Sequence, residues 1–178
     1  MQNIVPEDLM SLQNDNFNYI ASEILPYLLS QLDTLSLNED QNKFFDELQN
    51  WDYFNHPNLK APTHFELWSD ILWDQLWDEF DTMSFAVNKP DIHTTSQLII
   101  SDSLVGFSDR LSTPEKETTP DLINYAFYTA VDSLNQWLSI NGKNHSWNEF
   151  KETEINHLIS SFTSFNSKNI SIGGNHNI

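Results

Sequence analysis

The stretch from Trp51 to Met83, WDYFNHPNLKAPTHFELWSDILWDQLWDEFDTM, constrains the fold of this chain more than any other, because it carries four of the six tryptophans. On a helical wheel Phe65, Trp68, Leu72, Trp73, Leu76 and Phe80 form one broad apolar stripe, with Leu67, Ile71 and Trp77 outside it. Such a helix is expected to be buried on more than one side. Thr63 with Glu66 three residues on has the spacing of a capping box, which sets the expected helix start there. Glu66, Asp70, Asp74 and Asp78 recur every fourth residue. Without histidines or cysteines converging on them they read as a solvated edge, not as a row for acid/base or metal chemistry.

The remainder of the sequence reads as further helices around this one. Pro6, Glu7 and Asp8 suit a first turn, opening a helix through Leu9 and Leu12 that stops near Asn14. Asp15 or Asn16 is expected to cap a second helix through Phe17, Ile20, Ile24 and Leu28, bent where Pro26 removes a hydrogen bond. Asn38 and Gln41 form another capping box, ahead of Phe44, Phe45, Leu48 and Trp51 at burial spacing. From Phe85 to Pro120 the pattern weakens to the runs Leu98–Ile100 and Leu104–Phe107, and this is the expected mobile region. Thr119 and Pro120 start a long helix through Leu122, Ile123, Phe127, Val131, Leu134 and Leu138, ended by Gly142. Ser146 with Glu149 is a third capping box, for a helix running in two pieces to Phe162. Asn169 to Ile172 alternates like a short strand and meets Gly173 and Gly174.

A length of 178 residues suits one domain, and 39% hydrophobic residues with only four glycines point to a mainly α class, an irregular helical domain with a short C-terminal β-strand. With 26 acids against 8 bases the formal net charge is -18, which repels phosphate backbones and anionic lipid and makes nucleic acid and membrane poor partners. No run approaches a membrane span, and Met1 to Leu12 lacks a basic segment leading into an apolar one, so an export signal is expected outside these residues. The absence of cysteine excludes disulfides, thiolate metal sites and a cysteine nucleophile. There is no internal repeat.

Motifs that carry chemistry are sparse. Glu154 and His157 form a Glu-x-x-His pair of the kind found in di-iron bundles, but the second pair is missing, so a helical oxidase rests on these two residues alone. His56 and His64 flank the loop HPNLKAP at a separation that fits no zinc spacing. Asn14, Asp15 and Asn16 lack the glycine and distal glutamate of a calcium loop. No serine elbow, phosphate-binding glycine loop or dinucleotide fingerprint occurs. The residues themselves assign no catalytic, cofactor-binding or metal role.

Five stretches taken in order, EDLMSLQNDNFNYIASEILPYLL, ELQNWDYF, APTHFELW, INHLI and ISIGG, resemble the penicillin acylase (penicillin amidase) family, with LQNDN at Leu12 to Asn16 as the best anchor. They resemble the helical later part of that family's β subunit. The resemblance implies an N-terminal-nucleophile hydrolase with an αββα core, exported to the periplasm or beyond and matured by autocatalytic cleavage. Its β-subunit serine attacks the amide carbonyl of penicillins, cephalosporin side chains or N-acyl homoserine lactones, and a structural calcium is often bound.

The resembling region begins after the family's nucleophile, oxyanion-hole asparagine, supporting arginine and calcium ligands, so none of these maps to a residue here. Residue 1 is Met and the next is Gln2, neither of them a hydroxyl or thiol nucleophile. The expectation is therefore a fragment, residues 1–178, inactive alone, with no cofactor of its own. Its partners would be the rest of the acylase precursor, and it could self-associate through the C-terminal strand. The alternative is an independent helical interaction module without catalysis.

Overall fold

The computed structural model describes residues 4–104, 106–159, 161–168 and 170–175. Eight α-helices are found among them: α1 (Pro6–Gln13), α2 (Tyr19–Ser30), α3 (Glu39–Gln49), α4 (Ala61–Leu76), α5 (Asp78–Asp81), α6 (Ile92–Ile100), α7 (Thr119–Asn141) and α8 (Trp147–Lys151). No sheet forms among these residues. Two isolated bridges, Phe17 with Phe54 and Ile155 with Ser167, are the only β pairings there.

The core is the α4–α7 pairing. Phe65, Trp68 and Leu72 of α4 meet Ile123, Phe127 and Ala130 of α7, all at 1% exposure or less. Trp68 stands edge-on to Phe127 at 5.1 Å between ring centres, and its indole N–H donates to the Ile123 carbonyl at 3.1 Å. Burying so large a side chain while satisfying its one donor is what lets tryptophan occupy the centre of a core. Helix α3 covers one side of this pair through Phe44 and Leu48, and α2 packs against α6. Asn124 of α7 fastens the end of α2, donating to the Gln31 carbonyl at 2.8 Å and accepting from the Asp33 N–H at 3.0 Å.

Several helix starts follow the expected chemistry and others are displaced. The Asn38–Gln41 box closes in both directions, at 2.9 and 3.0 Å. Helix α2 is capped by Asn18, whose side chain accepts from the Ala21 N–H at 3.0 Å, instead of by Asp15 or Asn16. Asp15 accepts from the Phe17 N–H within the preceding turn. Thr118, one residue ahead of the expected cap, closes a box with Asp121 at the start of α7. Gly142 ends that helix at φ 60°.

The larger corrections lie in and after the central helix. Helix α4 starts at Ala61 with Pro62 in its first turn, so Thr63 lies inside it, fully buried with an unpartnered hydroxyl, and there is no Thr63–Glu66 box. The helix ends at Leu76, and Trp77 turns the chain into α5, its indole donating to Thr95 Oγ1 at 3.1 Å. The span from Phe85 to Pro120, expected to lack order, holds α6, capped by Asp91 through the Thr94 N–H at 2.8 Å. In the same span the Arg110 guanidinium forks onto Glu117 at 2.9 and 3.1 Å.

Helix α8 stops after Lys151 because Glu152 turns left-handed at φ 50°, so no helix runs on to Phe162. Residues 170–175 form no strand, and Asn169, where the expected strand began, lies outside the described residues. Ile178 also lies outside them.

Candidate functional site

Helix α3 delivers Glu47, the first turn of α4 delivers His64, and the loop between α7 and α8 delivers His145 to one place. One ligand atom from each lies within 4.8 Å of the others. His64 is 3% exposed, sandwiched between Phe44, whose ring lies at 4.0 Å and 7° from parallel, and His145, at 5.1 Å and 19°. Neither ring nitrogen of His64 makes a hydrogen bond. A phenylalanine would stack equally well there, whereas each orphaned buried polar atom costs about 1–3 kcal/mol, so the imidazole is an anomaly for a packing role.

Burial pushes the His64 pKa down to about 3, helped by His145 and Lys60. The Phe44 backbone carbonyl works the other way without meeting either nitrogen at hydrogen-bonding geometry. His145, half buried beside Lys60, is held down to about 4. Both rings are therefore neutral at pH 7, which leaves ring-nitrogen lone pairs available. Lys60 Nζ stands 3.6 Å from Glu47 Oε1. A cavity of ≈ 140 Å³ adjoins the three groups, with Asp40, Lys43 and Asn135 on its wall.

A second polar centre joins the two ends of the chain. A cleft of ≈ 560 Å³ is bordered by Gln13 to Phe17 on one side and Ile172 to Asn175 on the other. Asn55, 1% exposed, sits behind it: its carbonyl accepts from the Gly174 N–H at 3.1 Å and its amide donates to Asn175 Oδ1 at 2.6 Å. The indole N–H of Trp147 donates to the Gly174 carbonyl at 2.8 Å, and Lys151 Nζ to the Gly173 carbonyl at 3.1 Å. A Cβ on Gly173 would fall 2.5 Å from the Asn55 oxygen and 2.7 Å from Asn16 Nδ2, so only glycine fits. His56 Nδ1 lies 3.2 Å from Asn16 Nδ2.

Of the residues singled out in the sequence, Glu154 and His157 do not share a helix. Glu154 pairs with Lys168 at 3.5 Å, and the His157 ring packs against Phe162 and Phe165. The carboxylate row is not uniform either. Asp70 and Asp74 are exposed, Asp78 accepts from the Leu111 N–H at 2.9 Å, and Glu66 is largely buried, its pKa pushed up to about 7 by desolvation and then by Asp70. The His64–His145 pairing escaped the sequence because its members come from separate elements. The visible signal was a histidine and a threonine inside the apolar run APTHFELW.

The helical chain is matched along its whole length by a family model for an acylase-type hydrolase. The family model described as "Penicillin amidase" matches residues 1–178, and the chain belongs to that family. No curated protein and no solved structure matches it. Among the described residues no helix is long and apolar enough to cross a membrane.

Proposed function

We propose that residues 1–178 are the helical part of a penicillin amidase-type enzyme that hydrolyses the amide C–N bond of small acyl amides, with penicillins, cephalosporin side chains and N-acyl homoserine lactones as the substrate range. The observation that carries this reading is the family match over the whole chain. In it, these helices buttress catalytic sheets supplied by the rest of the enzyme in the periplasm or outside the cell, and the chain alone does not turn over substrate.

Two apolar surfaces support a buttressing role. Helix α1 has no buried residue and exposes Leu9, Met10 and Leu12, and the segment after α8 exposes Leu158, Ile159, Phe162 and Phe165. Exposed large apolar side chains concentrated in two short segments suit a covering partner. An assay of the pure chain with a chromogenic phenylacetyl or fatty-acyl anilide should show no hydrolysis above background, because attack needs a nucleophile, a base and oxyanion donors held together. Turnover by the pure chain would overturn this reading. So would adjoining genomic sequence that encodes no serine-led β-subunit start.

A further inference from the structure

We propose that Glu47, His64 and His145 bind one divalent transition-metal ion, Zn²⁺ being the best fit, which ties α3, α4 and the α7–α8 loop together. Two imidazoles and a carboxylate are donors that suit Zn²⁺ and leave a fourth position for water, for which the adjoining cavity of ≈ 140 Å³ has room. The second, independent observation is His64 itself, a nearly fully buried side chain with both ring nitrogens unpartnered, facing two other donors. Metal ligation gives one of those nitrogens a partner. The Phe44 carbonyl beside the ring is the acceptor available to the N–H that a metal-bound imidazole keeps.

The geometry asks for a modest adjustment. Donor atoms around a tetrahedral zinc stand about 3.3 Å apart, against the 4.8 Å span of the three groups. His64 is fixed by Phe44, so Glu47 and His145 do the closing. Both have the freedom for it, since the Glu47 side chain is 37% exposed and His145 lies in a loop. The near-parallel stacking of the two imidazoles must open so that their lone pairs converge, which the His145 side-chain torsions allow. Lys60 now faces Glu47 with its side chain 39% exposed, and it would swing to solvent when the metal takes the carboxylate. Asp40 and Lys43, already paired with each other at 3.7 Å, complete the charged wall of the cavity.

A softer N-donor set separates this site from the acidic surface, whose carboxylates would hold Ca²⁺ or Mg²⁺ weakly and through oxygen alone.

The test is titration of the untagged, chelator-stripped chain with ZnCl₂ by calorimetry, alongside Co²⁺ absorption spectra and the chains His145→Ala and Glu47→Gln. Both substitutions lie at partly exposed positions, so the variants keep the fold, as circular dichroism would verify. The expected result is one Zn²⁺ per chain, a visible Co²⁺ spectrum of tetrahedral type, and affinity lowered in each variant by more than the about 10- to 100-fold that loss of an outer-shell partner costs. Excess Ca²⁺ should not displace the zinc. Absence of stoichiometric zinc binding would overturn the proposal, and so would binding of unchanged affinity in both variants. Hydrolytic assays play no part in this readout, so the site stands or falls apart from the proposed enzymatic role.

Discussion

The α4–α7 pair and the segment after Lys151 are held by different forces. In the pair, side chains carry the load: Trp68, Leu72, Ile123 and Phe127 are sealed from water, and their stabilisation scales with apolar area removed from solvent. In the later segment Ile155, Leu158, Ile159 and Phe162 remain exposed, and the chain is fastened at single points by hydrogen bonds to backbone carbonyls. Ile155 and Ser167 exchange bonds at 2.8 and 2.9 Å, Ile170 donates to the Thr153 carbonyl at 3.1 Å, and Gly173 and Gly174 are gripped by Trp147, Lys151 and Asn55. A packed interface tolerates the loss of any one polar contact, whereas a chain pinned at points can detach without unfolding the rest.

Truncating Leu72 to Ala should have the largest effect. It removes a fully buried side chain next to Trp68, and loss of burial plus the cavity should cost about 2–5 kcal/mol in a urea melt. Asp74→Ala, on an exposed residue that faces Lys89 at 3.8 Å, should cost under about 1 kcal/mol. Equal small losses for both would mean that the α4 interior face carries no more weight than its surface.

Gly173→Ala should come next. The added methyl cannot fit beside the Asn55 carbonyl and Asn16, so the corner must open by a local rearrangement costing about 1–3 kcal/mol. Amide exchange at Gly174 should accelerate strongly while that of Phe127 is unchanged. Acceleration at both would show that the two regions unfold as one unit.

The effect of Glu66→Gln depends on pH, vanishing near pH 4.5 and growing as pH rises toward about 7. The Glu66 carboxyl lies on α4 near Lys151, the residue that holds the Gly173 carbonyl, and burial raises its pKa from 4.5 to about 7. A raised carboxyl pKa means the native state holds the proton more tightly than the unfolded chain. Its contribution is therefore full below pH 4.5 and is lost as pH rises through about 7. The glutamine variant mimics the protonated form, so it should melt higher than the parent at pH 8 and together with it near pH 4.5. A constant difference between the two at all pH values would remove Glu66 as a link between core and corner.

Helices with an apolar stripe and a marked start were legible from residues alone, as α3 shows with its Asn38–Gln41 box and α7 with its first-turn Pro120, although the α7 cap falls one residue earlier, at Thr118. Helix α6 was missed because Ile92 to Ile100 mixes threonine and serine with the apolar positions, and its cap, Asp91, follows a proline in a polar stretch. The anchoring of Gly173 and Gly174 left no pattern, since the acceptors are backbone carbonyls that every residue possesses. The start of α4 went wrong at Thr63 for a related reason: Pro62 supplies the first-turn geometry and Lys60 occupies the cap without using its side chain. Family membership was legible where the site was not, because ordered stretches such as LQNDN and ISIGG lie along the sequence, whereas Glu47, His64 and His145 meet only once α3, α4 and the α7–α8 loop are packed.

The Trp68 to Ile123 hydrogen bond spans 55 positions in sequence, and this separation governs how quickly the chain can acquire its shape. Isolated helices form within about a microsecond, but bringing α4 onto α7 closes a loop whose entropy cost is about 3–4 kcal/mol before any apolar contact is rewarded. Helix α2 meets α6 across a similar distance, with Gln97 reaching Glu23 over 74 positions. By loop length alone, closing α4 onto α7 and α2 onto α6 are the entropically costly steps of folding, and the local helices are the cheap ones. The same logarithmic dependence makes the linker between α5 and α6 forgiving, since doubling its length would add only about 0.6 kcal/mol to closure.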